Sequence, residues 1–160
     1  MDYSLIKVFH IGALILWLGP AFGAWLVFKA VESESISNVT AKINRMFFAM
    51  ITLEHLAFVA LLISGFSMAF QANWFSSPWL HQKLFILALV IVPLEIIDIA
   101  LGNWLAMKAS AKKYSGYKLT FRQEKWIRIY HGPFTKLALA TMPISVFGVI
   151  YLAVSKAPIF

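Results

Sequence analysis

Residues Trp79 to Trp104 read "WLHQKLFILALVIVPLEIIDIALGNW". The run is long and apolar enough to cross a bilayer, which takes about 20 mainly apolar residues. Yet Glu95 and Asp98 sit near its centre, three residues apart, and His81 and Lys83 sit at its start. A charged residue at a bilayer centre costs about 2.5–3.5 kcal/mol on insertion scales. Carboxylates three apart share a helix face, so Glu95 and Asp98 are expected to turn away from lipid into a helical bundle. At 3.6 residues per turn, His81 is close to four turns before Glu95. The expected inward stripe is therefore His81, Ala88, Ile91, Glu95 and Asp98.

The rest of the chain supplies the bundle. Apolar runs at Leu5–Phe28, Met46–Phe70, Leu84–Met107 and Leu137–Val154 predict four spans, the last beginning as an amphipathic approach near Phe121. The predicted fold is all-α: an integral membrane four-helix bundle in one transmembrane domain over residues 1–160, with helices at about 5–28, 46–70, 84–107 and 121–154. The composition agrees. The chain is 61% hydrophobic and 13% charged, whereas soluble domains are about a quarter charged. Absence of cysteine excludes disulfides, thiolate metal sites and iron–sulfur clusters. The first apolar run reads as a span rather than a signal peptide, being long and interrupted by His10, Trp17 and Pro20.

Lysine and arginine concentrate in two links. The first holds Lys29, Lys42 and Arg45; the third holds Lys108, Lys112, Lys113, Lys118, Arg122, Lys125 and Arg128; the second has none before Lys83. Basic loops stay cytoplasmic, which predicts a multi-pass protein of the inner (cytoplasmic) membrane with both termini on the outer side. The net charge of +7 then reports topology and attraction to anionic lipid, not a nucleic-acid site. Gly19 and Gly23, four apart in "GPAFG", read as a helix-packing feature.

Intramembrane ionisable residues mark sites, and each predicted helix carries one of the four histidines: His10, His55, His81 and His131. Helix one adds Trp17, seven residues after His10. Helix two adds Met46, Met50 and Glu54 at four-residue spacing, and helix four adds Thr135, Met142 and Ser145. Helical bundles hold cofactors between facing helices, and haem iron takes His or Met ligands. His10 is the leading haem candidate. A second ligand is expected from Met46, Met50, His55 or His81, with Trp17 beside the cofactor. A rival reading takes His10, His55, His81, His131, Glu54, Glu95 and Asp98 as ligands of a non-haem metal ion, or the carboxylates as a proton relay. In that rival the protein binds or transports a copper-like ion.

A family resemblance bears on the choice. "KVFHIGALILWLG" at Lys7–Gly19, "WLHQKLFILAL" at Trp79–Leu89 and the ending "YLAVSKAPIF" resemble the HemJ-type protoporphyrinogen oxidases, and parts of them resemble copper-resistance D-type proteins. The chain resembles a divergent member. Where HemJ proteins carry a Pro-Arg pair, it has "AFGAWLVF" with Leu26 near the Arg position, and Glu95 falls about where they tend to carry a His. The resemblance implies a haem b oxidoreductase acting on a porphyrin- or quinone-like substrate, with His10 as the essential first-helix histidine. It also implies that Lys83 contacts an acidic group such as a porphyrin propionate. Glu54, Glu95 and Asp98 join Lys83 as candidate catalytic groups. Expected partners are lipids and a membrane redox partner or quinone; a homo-oligomer is compatible with the sequence.

Overall fold

The computed structural model describes residues 2–32 and 37–159. They form an all-α four-helix bundle whose helices are each long and apolar enough to cross a membrane. We number them α1 (Tyr3–Glu32), α2 (Asn38–Gln71), α3 (Pro78–Tyr114) and α4 (Phe121–Ser155). Ser35, in the first link, lies outside the described residues.

The helix ends follow local chemistry. Ser37 and Thr40 form a capping box at the start of α2, with the Thr40 N–H donating to Ser37 Oγ at 3.2 Å and the Ser37 N–H to Thr40 Oγ1 at 2.9 Å. Asn73, at φ 57°, ends that helix in the left-handed region, and Pro78 opens α3 where a missing N–H costs nothing. Thr120 and Gln123 form a second capping box at α4. Three helices begin well before the apolar runs do: α2 at Asn38, α3 at Pro78 and α4 at Phe121. Hydropathy marks the membrane-crossing part, whereas helical hydrogen bonding continues through the polar flanks to the next cap.

The helices alternate in direction. One end of the bundle therefore gathers both termini and the α2–α3 loop, and we call it the terminal end. Contacts confirm the grouping. Tyr3 packs edge-on against Trp74, and the Ile159 N–H donates to Gln82 Oε1 at 2.7 Å, pinning the C-terminal tail on α3. The core runs down the axis in three layers. Trp79, Leu80 and Leu152 fill the terminal end; Trp17, Phe58, Leu61, Ile91 and Val146 the middle; Phe47, Phe48, Leu101 and Tyr130 the opposite end. The outside is apolar too. Phe70 is 70% exposed, Phe147 72% and Val154 79%. Apolar surface on that scale fits lipid, not water.

Neither α3 nor α4 is uniformly α-helical. Wide π-helical turns occupy Leu87–Ile91, Ile99–Ala106 and Tyr130–Phe134. Two of them adjoin Pro93 and Pro133, which cannot donate to the preceding turn. Near the second, Thr135 Oγ1 donates to the Tyr130 carbonyl at 2.5 Å, alongside the Thr135 backbone N–H. Each wide turn advances the helix phase. This corrects the straight stripe expected on α3: Ile91 and Glu95 face inward, but His81 and Ala88 are exposed.

Gly102 on α3 lies directly against the Tyr130 side chain of α4. A Cβ built there would lie 2.7–2.8 Å from Tyr130 ring and hydroxyl atoms. Gly102→Ala is expected to lower stability by about 1–3 kcal/mol through overpacking, read by unfolding in mixed detergent micelles. Gly12→Ala, where a Cβ meets nothing within 4 Å, is the control and is expected to be neutral or stabilising. Equal stability of the two variants would contradict the close contact.

Candidate functional site

A cavity of about 520 Å³ opens between the four helices in the terminal half of the bundle. This lies within the range of about 300–1,000 Å³ usual for small-molecule and cofactor pockets. Its wall is mostly hydrocarbon and aromatic: Leu14, Trp17, Leu61, Trp74, Trp79 and Val149 among others. Its polar groups are few. Lys7, Lys83 and Lys156 line it near the terminal end, and His10 lines it further in. Lys156 follows the last turn of α4 at φ 49° and lays its ammonium 4.9 Å over the Trp74 ring. An apolar chamber with cations on one side suits an amphiphile that is acidic at one end.

The protonation of His10 follows from its partners. His10 Nδ1 lies 2.9 Å from Ser64 Oγ. Ser64 has a single hydroxyl proton, and its oxygen lies 2.7 Å from the Ala60 carbonyl and 3.2 Å from that of Leu61, both of which only accept. The Ser64 proton is thus committed to α2, and the His10 Nδ1–H must donate to Ser64. A neutral imidazole so held presents Nε2 as a lone-pair donor. This is the tautomer a metal-ligating histidine takes when its other nitrogen is fixed by a neighbour. Gly65 makes the room, since a Cβ there would lie 3.0 Å from His10 Cε1.

Below the cavity floor lies a second constellation. The Trp17 indole N–H donates to Glu95 Oε1 at 2.7 Å, and His55 Nδ1 pairs with Glu95 Oε2 at 3.0 Å. Trp17, Glu95 and His55 are all buried, and Trp17 also lines the cavity. One carboxylate therefore ties α1, α2 and α3 together directly beneath it. Glu54 is buried beside this pair and interacts electrostatically with Glu95 and Asp98. Asp98 hydrogen-bonds the Tyr130 hydroxyl, linking α3 to α4. Further along, His131 is buried in an aromatic box, 5.7 Å from Phe47, 6.3 Å from Phe48 and 4.8 Å from Tyr130 by ring centroids.

Several expected site residues are elsewhere. Met46 and Met50 are 56% and 41% exposed and point away from Glu54, so helical spacing misassigned their face. His81 is exposed and donates from Nε2 to the Phe75 carbonyl at 2.7 Å, tying down the loop before α3. His55 points its Nδ1 at Glu95 and does not line the cavity. The seven proposed metal ligands do not converge: among the described residues no group of three or more His, Asp or Glu is placed to hold a metal ion.

Sequence reasoning passed over other residues. Ser64 and Gly65 seat His10. Met68, one turn beyond Ser64 on α2, lines the cavity, and Tyr130 completes the carboxylate cluster. The i, i+4 relation of Ser64 to Met68 was the available signal, visible only once Ser64 is known to face His10. No family model matches the chain, and no curated protein or solved structure matches it.

Proposed function

We propose that the chain is an inner-membrane haem b protein that passes electrons to or from a porphyrin- or quinone-like membrane substrate. The observation that carries this reading is His10, held by Ser64 so that Nε2 is free in an apolar cavity. The residues fit the group. A flat apolar macrocycle matches the hydrocarbon wall, Lys7, Lys83 and Lys156 match its acidic edge, and His10 matches its iron. Met68, a thioether on the cavity wall, takes the place of Met46, Met50, His55 and His81 as the second-ligand candidate. Haem bound there would supply one-electron chemistry. The chain would bind it, exclude water with Trp74 and Trp79, and hold charge beneath it at Glu95. The resemblance to HemJ-type proteins in "KVFHIGALILWLG" and "WLHQKLFILAL" points the same way.

Protein purified from haem-replete cells is expected to show a b-type α-band in the reduced-minus-oxidised spectrum. Colourless protein carrying copper would instead support the metal-handling alternative.

In this reading both termini face outward, because Lys112, Lys113, Lys118, Arg122, Lys125 and Arg128 lie at or near the α3–α4 loop. A cysteine at Ser76, exposed at the terminal end, is expected to react with an impermeant thiol reagent on intact cells. One at Ser115, exposed at the opposite end, is expected to react only after lysis. The reverse pattern would invert the protein.

A further inference from the structure

The buried carboxylates have more acceptor capacity than partners. Glu95 uses both oxygens, on Trp17 and His55. Glu54 Oε2, Asp98 Oδ1 and His55 Nε2 are enclosed and have no hydrogen-bond partner among the described residues. Glu54 is 7% exposed and His55 6%. The titratable groups around this space are Glu54 and His55 from α2, Glu95 and Asp98 from α3, and Tyr130 from α4; α1 contributes the uncharged Trp17. His55 is the one base in the group, and it is already engaged with Glu95. Three carboxylates with at most one cation cannot all be ionised in a low-dielectric interior. Among the described residues no metal-holding group relieves them. A proton is the ligand that fits. Of the three, Glu95 already has both oxygens engaged and Asp98 bonds Tyr130, whereas the deeply buried Glu54 has an enclosed oxygen without a partner and is the group placed to carry the proton.

We propose that Glu54, with Glu95, Asp98 and His55, forms a proton-loading site beneath the cavity, with Glu54 holding the exchangeable proton. The cluster and the cavity share Trp17 as a common wall, so the arrival of negative charge in the cavity favours uptake of one proton below it. The balance is one electron, from a reduced membrane substrate, into the cavity and one proton, from the aqueous phase, onto a Glu54 oxygen. The coupling rests on the haem reading. The loading site does not.

Infrared spectroscopy of the haem-free protein in bilayer discs tests the site directly. A carboxylic acid C=O band that shifts in D2O and titrates with pH is expected in the parent. It should be lost in Glu54→Gln and retained in Glu95→Gln. Absence of such a band, the same band in Glu54→Gln, Glu95→Gln and Asp98→Asn, or its loss in Asp98→Asn alone would overturn the assignment. The haem-loaded protein tests the coupling. A tenfold change in proton concentration should move the parent's midpoint potential by about 59 mV, and Glu54→Gln should flatten the slope. A titrating band with a pH-independent parent potential would overturn the coupling and leave the site. Failure to bind haem would overturn only the reading of the cavity.

Discussion

His10→Ala is expected to abolish haem binding: the purified variant should lack the b-type α-band while keeping its helical circular dichroism. The size of the effect follows from the site. Lys7, Lys83 and Lys156 add charge attraction near the terminal end, but His10 presents the one imidazole on the cavity wall among the described residues. Ser64→Ala should act through His10 rather than on the ligand directly. Without the hydroxyl, Nδ1 loses an acceptor and the ring loses its fixed tautomer. Loss of a supporting partner of this kind typically weakens metal affinity by about 10–100-fold. Met68→Leu keeps volume but removes the thioether. If Met68 is the second ligand, its variant should retain haem with a shifted spectrum and potential. A full α-band in His10→Ala would remove His10 from the site, and an unaltered spectrum in Met68→Leu would remove Met68.

How much of this was legible in the sequence depended on the periodicity of each helix. Four spans could be counted because apolar runs of that length have few other uses. That Glu95 turns inward was legible too, because the cost of facing lipid is large. The faces of individual residues were less secure. On α3 a constant 3.6-residue period placed His81 with Glu95, and the π-helical turn at Leu87–Ile91 lies between them. On α2 no such turn intervenes, yet Met46 and Met50 still face outward while Glu54 is buried. Apolar side chains are equally at home against lipid and in the core, so hydropathy does not mark the buried face of a membrane helix. The seating of His10 was invisible for another reason: Ser64 and Gly65 lie 54 and 55 positions away, and neither residue type announces a site.

The largest stability effect is expected at Glu95. Its carboxylate accepts from Trp17 at 2.7 Å and pairs with His55 at 3.0 Å, with all three residues buried. Two estimates of what Glu95→Ala loses differ enough to be told apart. If these are ordinary interhelical hydrogen bonds in a membrane, each contributes about 0.6 kcal/mol, and the variant loses little more than the methylene packing. If Glu95 and His55 form a buried charge pair, removing one member leaves the other without compensation, at about 3–5 kcal/mol. Burial of both partners, and the indole N–H fixed on the second oxygen, favour the larger loss. Glu95→Gln separates charge from shape. Its amide oxygen can still accept from Trp17, and its amide N–H2 can donate to His55 Nδ1 once that ring carries its proton on Nε2. If the charge pair dominates, the Gln variant should lose nearly as much as Ala; if ordinary hydrogen bonds dominate, it should keep most of the parent's stability. Unfolding of the three proteins in mixed detergent micelles measures this. An alanine variant within about 1 kcal/mol of the parent would match the weaker, membrane-type bonds and rule out the charge pair. A Gln variant as unstable as Ala would place the whole effect on charge, because shape and hydrogen bonding survive that substitution.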